Sequence, residues 1–70
     1  MNAAARIKQI RFEPEKPLKQ RELAAKLGVD PITVSRWERG VTQPSDIHRV
    51  LLARIGGGHP NDYLDEEEVA

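Results

Sequence analysis

Few residues of this chain could do covalent chemistry. Its two histidines are His48 and His59. His59 can be set with Asp62 and Glu66 as a nitrogen-and-carboxylate ligand group of the kind zinc accepts. The histidines are too few and too scattered for a metal site, and the absence of cysteine removes thiolate ligands, disulfides and a thiol nucleophile. No serine stands beside a histidine and a carboxylate in a recognisable pattern, and no Gly-rich phosphate loop follows a strand. The expectation is no enzyme, no catalytic residue, no metal and no cofactor. What remains is a set of groups suited to binding: Ile32, Thr33, Arg36 and Arg39 share one side of a helical repeat, with Ser35 at its edge. The opposite side holds Val34, Trp37 and the stem of Glu38.

Seventy residues make one small domain with a modest core, so any cleft for catalysis would be shallow or shared. No apolar run approaches the roughly 20 residues of a membrane span, and MNAAARIKQI lacks the apolar middle of a secretion signal. A soluble cytoplasmic protein is expected, without a membrane partner. The formal charge of zero hides a division. All eleven Lys and Arg lie in residues 1–55 with six acids, a net +5, while Asp62, Asp65, Glu66, Glu67 and Glu68 leave residues 56–70 at −5.

The elements that would position the binding face follow from punctuation. Asn2 can cap a helix running to about Phe12, with Ala3, Ile7 and Ile10 on one stripe. Pro14 and Pro17 stop it, and EPEKP reads as an exposed link. A second helix covers Gln20 to Leu27, where Leu23, Ala24 and Leu27 share a face, and Gly28 ends it, with Val29 packing back. Asp30 as N-cap and Pro31 at the first helical position open a third helix over residues 31–39, closed by Gly40. Ser45 or Asp46 starts a fourth, with Ile47, Val50, Leu51 and Ile55 as its apolar stripe, and Gly56, Gly57 and Gly58 halt it. Lys8, Lys16, Lys26 and Arg49 read as solvated surface. The boundaries drawn are a domain over residues 1–55 and a glycine hinge with acidic tail over 56–70.

Two helices of about eight residues joined by so short a turn cross steeply and leave one projecting. That is a helix-turn-helix, over residues 20–40. Ala24 is the small residue that the crossing needs, and Leu23, Leu27, Val29, Val34 and Trp37 fill the wedge.

The stretch QRELAAKLGVDPITVSRWERGVTQP resembles the helix-turn-helix of the Cro and phage-repressor type family of transcription regulators. The agreement runs without a gap through Gln20, Leu23-Ala24, Leu27-Gly28-Val29, Val34-Ser35, Trp37-Glu38, Gly40 and Pro44. The resemblance implies an all-α, lambda-repressor-like DNA-binding domain of four helices, or five if the tail adds one, acting as a homodimer on an inverted-repeat operator in double-stranded DNA. Carried over by position, Pro31, Ile32, Thr33 and Arg36 fall where the family reads base edges. Arg36 would grip guanine O6 and N7, worth roughly 1–3 kcal/mol of discrimination. Thr33 and Ile32 would meet a thymine methyl. Gln20 falls where the family holds a phosphate oxygen, and Lys19 and Ser35 are further phosphate candidates. Arg39, Thr42 and Gln43 fall where it clamps the backbone. Glu38 falls where the family pairs with a basic residue of the first helix, here Arg11.

Departures from the family pattern carry their own expectations. Lys19 replaces the usual Ser, Thr or Asn cap, at a cost of about 1 kcal/mol. Pro31 and Ile32 stand where polar residues are common, so base readout from the first turn should be sparse. The EPEKP link is long, and the fifth helix that often builds the family's dimer contact is not evident. NDYLDEEEVA admits three readings: a disordered solvating tail, a short helix capped by Asn61 that presents Tyr63 and Leu64 for dimer contact, or an acidic arm lying on the basic face in competition with DNA. The expected function is a small repressor or operon autoregulator of phage, prophage or mobile-element origin, occupying its operator. The alternative is an antitoxin-like interaction module whose acidic tail binds a partner protein.

Overall fold

The computed structural model describes residues 3–64. Four α-helices follow one another: α1 (Ala3–Arg11), α2 (Gln20–Leu27), α3 (Pro31–Glu38) and α4 (Asp46–Gly56), with a short 3-10 turn at Pro60–Tyr63. There is no strand among the described residues. The Asn2 cap lies outside them.

α1 buries Ala3, Ile7 and Ile10, the stripe that its spacing predicts. The link after it turns back where the Leu18 amide donates to the Arg11 carbonyl at 2.8 Å. α2 buries Leu23, Ala24 and Leu27. Lys19 makes no side-chain cap, as its lack of an acceptor requires, but Glu22 answers with the other half of a capping box, its Oε1 accepting from the Lys19 amide at 2.8 Å. At Gly28 the backbone enters the left-handed region at φ 72°, which a side chain would disfavour, and the Val29 amide reaches back to the Ala24 carbonyl at 3.0 Å. α3 then begins within three residues. Asp30 occupies its N-cap position with extended backbone but makes no side-chain capping bond, and the helix ends at Glu38, one residue short of the span expected.

Among the described residues the core is Ile7, Ile10, Leu23, Ala24, Leu27, Val34, Trp37, Leu52 and Tyr63, with Leu18, Val29, Leu51 and Ala53 packed against them. α4 enters this core by a different side from the one that its spacing suggests. Ile47, Val50 and Ile55 were the expected core stripe with Leu51, yet they are 65%, 39% and 37% exposed, while Leu52 is fully buried and Leu51 only partly covered. The reason is that α4 is apolar on two sides, and the neighbours choose. Trp37 meets His48 with ring centroids 5.5 Å apart, and Gly56 lets Ile10 and the Tyr63 hydroxyl approach closely. Arg49, expected on the solvated surface, instead lies along the domain: its Nη1 donates to the buried Pro44's carbonyl at 2.8 Å and its Nη2 pairs with Asp46.

Packing also continues past residue 55, where the sequence boundary places a hinge and tail. Gly57 turns the chain at φ 81° and Gly58 follows at 84°. Tyr63 comes back fully buried, its hydroxyl donating to the Gly57 carbonyl at 2.9 Å, with the Arg6 guanidinium 5.6 Å from its ring centre. Tyr63 is therefore a core residue and not an outward dimer contact, and among the described residues after α4 the one helical element is the 3-10 turn. The remaining acidic residues, 65–70, lie outside the described residues.

Candidate nucleic-acid interface

The candidate surface is built on α3 from the inside outward. Val34, Trp37 and Glu38 are 0%, 3% and 5% exposed, so one side of the helix is committed to the core. With 100° between successive residues, that commitment turns Ile32, Arg36 and Arg39 to the other side. All three are exposed, Ile32 at 54%, and Pro31 is exposed beside them at the helix start. Thr33 and Ser35 flank the stripe half-buried. Neither Arg36 nor Arg39 makes a side-chain hydrogen bond or ion pair among the described residues, so both guanidinium groups keep all their donors for an outside acceptor.

The pose of α3 is held from behind by one carboxylate. Glu38 Oε1 accepts from Arg11 Nη2 at 2.8 Å and from Gln20 Nε2 at 3.2 Å, and its Oε2 takes Arg11 Nε. Arg11 ends α1 and Gln20 opens α2, so three helices meet at the last residue of α3. The Arg11 partner was foreseen from the family position. The Gln20 contact was not: its amide, assigned from sequence to a phosphate, is directed inward at Glu38 in the free protein. Its signal was out of reach, since nothing local marks a contact between residues 18 apart.

Around α3, Lys19 is exposed at the start of α2, and Thr42 and Gln43 are exposed in the turn that leads to α4. That turn is fastened at its end by buried Pro44 and by the Val41 amide, which donates to the Arg36 carbonyl at 2.9 Å. Elsewhere, His59 and Asp62 serve the backbone: the His59 ring nitrogen Nδ1 accepts from the Asn61 amide at 3.1 Å, and Asp62 Oδ2 accepts from the His59 amide at 3.0 Å. With Glu66 outside the described residues, no group of three metal-binding side chains occurs among those described. No helix among them is long and apolar enough to cross a membrane.

An all-helical domain with a helix-turn-helix and a projecting, outward-cationic second helix defines a class of DNA-binding regulators. A family profile described as helix-turn-helix matches residues 7–62, and the chain belongs to that family, of the Cro and phage-repressor type. No curated protein and no solved structure matches the chain. The matched span takes in Ile7 of α1 and reaches into the 3-10 turn. The fold is thus the lambda-repressor-like one, and DNA binding in transcription regulation is the function of its class.

Proposed function

We propose that this protein is a small repressor or operon autoregulator that binds a specific operator and acts by occupying it. The observation that carries the reading is the two-sidedness of α3, with Val34, Trp37 and Glu38 sealed inward and Ile32, Arg36 and Arg39 turned out. Pro31, Ile32, Thr33 and Arg36 read the major groove. Arg36 supplies the one strong hydrogen-bonding contact to a base, and Ile32 and Thr33 add apolar contact to thymine methyls. Lys19, Gln20, Ser35, Arg39, Thr42 and Gln43 hold the phosphate backbone on either side. Gln20 reaches its phosphate only by turning from Glu38, which keeps Arg11 when it does. So few base contacts per copy favour a homodimer on an inverted repeat, with half-sites about 34 Å apart, in the cytoplasm of a bacterial or phage-infected cell.

Fluorescence anisotropy on duplex DNA from the region upstream of the protein's own gene, over a salt series and against scrambled competitor, tests this. The expected result is specific binding with a steep salt slope. Equal affinity for scrambled DNA, or none for either, refutes it and directs the search to a protein partner for the acidic tail.

A further inference from the structure

A groove of about 930 Å³ opens between the end of α1, the link after it, and the last turns of α2 and α4. None of its lining residues belongs to α3 or to the turn that follows, so it is separate from the face offered to the major groove. The link makes one wall. Pro14 and Pro17 keep residues 12–17 out of a helix, and the Leu18 amide closes the excursion on the Arg11 carbonyl at 2.8 Å. Ile10, Phe12, Leu18 and Ile55 supply the apolar lining. Phe12 is 65% exposed in spite of its size, with the Arg11 guanidinium 4.7 Å from its ring centre. Lys16 and Lys26, which read from the sequence as solvated surface, line the groove together with Arg6. None of these three cations pairs with a carboxylate among the described residues, and Arg6 is held by neutral acceptors, Gln9 Oε1 at 3.1 Å and the Gly57 carbonyl at 3.4 Å. Cations thus converge from α1, the link and α2, while the two carboxylates of the lining, Glu13 and Glu15, both belong to the link.

We propose that this groove binds a small organic anion with an apolar body, of the alkyl or aryl carboxylate class. Ligand sites are clefts of roughly 300–1,000 Å³ with mostly apolar walls and a few placed polar groups, and the groove has that division of labour. The apolar body lies against Ile10, Phe12, Leu18 and Ile55, and the carboxylate sits among Arg6, Lys16 and Lys26. Charge selects the anion: the cations outnumber the carboxylates, and Arg6 is already fixed before anything arrives. Two exposed lysines attract an anion only weakly in open water, but apolar walls lower the local dielectric and strengthen that pull. Because the occupant touches α1, the link, α2 and α4 together, it favours the folded chain and raises its stability by linkage. The inference stands apart from the operator reading, which assigns none of the groove's residues to DNA.

Decanoate, decanol and decylammonium share an apolar body and differ in charge, so titrating each into the full chain and following backbone amide NMR shifts tests body and charge together. Decanoate should saturate, with shifts centred on Arg6, Phe12, Lys16, Lys26 and Ile55, and bind about tenfold tighter than decanol and tighter again than decylammonium. Near saturation it should raise Tm by about 5 °C. K16E/K26E should weaken decanoate about tenfold and F12A about fivefold, while E13Q/E15Q should tighten it. All these positions are exposed, and circular dichroism confirms that each variant is folded. Decanol binding as well as decanoate, or decylammonium binding better, overturns the anion assignment. Shifts centred on Ile47 and Val50, groove shifts that follow protein concentration without ligand, or no saturation at millimolar decanoate overturns the site.

Discussion

Arg11 and Glu38 close on each other across 27 positions of sequence, with Arg11 Nη2 donating to Glu38 Oε1 at 2.8 Å and Nε donating to Oε2. Their side chains are 13% and 5% exposed, and the fork-to-fork geometry fixes orientation as well as distance. This pair sets the end of α3 against the end of α1, and so decides at what angle the outward face leaves the domain.

Removing one partner of that pair strands the other. Glu38→Ala leaves the Arg11 guanidinium largely covered without its carboxylate and should cost about 3 kcal/mol. Replacing both, as R11M/E38L, should recover most of that loss, because two apolar groups need no partner. Urea denaturation of the wild type, the single variant and the double variant measures both numbers; a single variant within about 0.5 kcal/mol of wild type would show the pair to be inert.

Tyr63 tests whether the chain after the glycines belongs to the fold. Tyr63→Phe removes only the bond to the Gly57 carbonyl and should cost about 1 kcal/mol. Tyr63→Ala empties a fully buried site and should cost about 3–5 kcal/mol. The phenol also has a pH signature: burial pushes its pKa above the ordinary 10.0, with Arg6 pulling the other way and Asp62 adding a smaller rise. A raised folded pKa means that its contribution is whole below pH 10 and is lost as pH climbs from there through the folded value. The wild type should therefore lose more stability than Tyr63→Phe between about pH 9 and about pH 11, read as the difference in Tm between the two.

Gly56→Ala should destabilise, against the helix preference for alanine of about 1 kcal/mol. A Cβ there would stand 2.6 Å from Ile10 Cδ1 and 2.8 Å from the Tyr63 hydroxyl. Ile10 Cγ1 is nearer still, so the isoleucine would have to move from its root as well as its tip, and the tyrosine is buried and held by its own hydrogen bond. A thermal melt gives the sign; an increase in Tm would mean that the approach at Gly56 is loose.

Arg36 and Arg39 should separate specificity from affinity. Arg36→Ala is expected to reduce operator binding by roughly 1–3 kcal/mol while leaving scrambled DNA little changed. Arg39→Ala should weaken both about equally and lower the salt slope by about one. Competition anisotropy on both DNAs distinguishes the two, and the same profile for both variants would remove Arg36 from base readout.

Local signals were enough for part of this molecule. Leu23, Ala24 and Leu27 repeat as a helix face, Gly28 can take φ 72° at no steric cost, and Pro31 after Asp30 opens the next helix, so α2 and α3 stand where spacing and punctuation place them. Those signals suffice because a helix and its end are set by residues within a turn of each other. Tertiary structure alone decided which apolar face of α4 is spent on the core, that Tyr63 returns across Gly57 to fill it, and that Gln20 turns inward to Glu38. Periodicity reports that a face is apolar and cannot say what covers it. Where two faces of α4 compete, burial is awarded by contacts with Trp37, Ile10 and Tyr63, residues that only folding brings alongside.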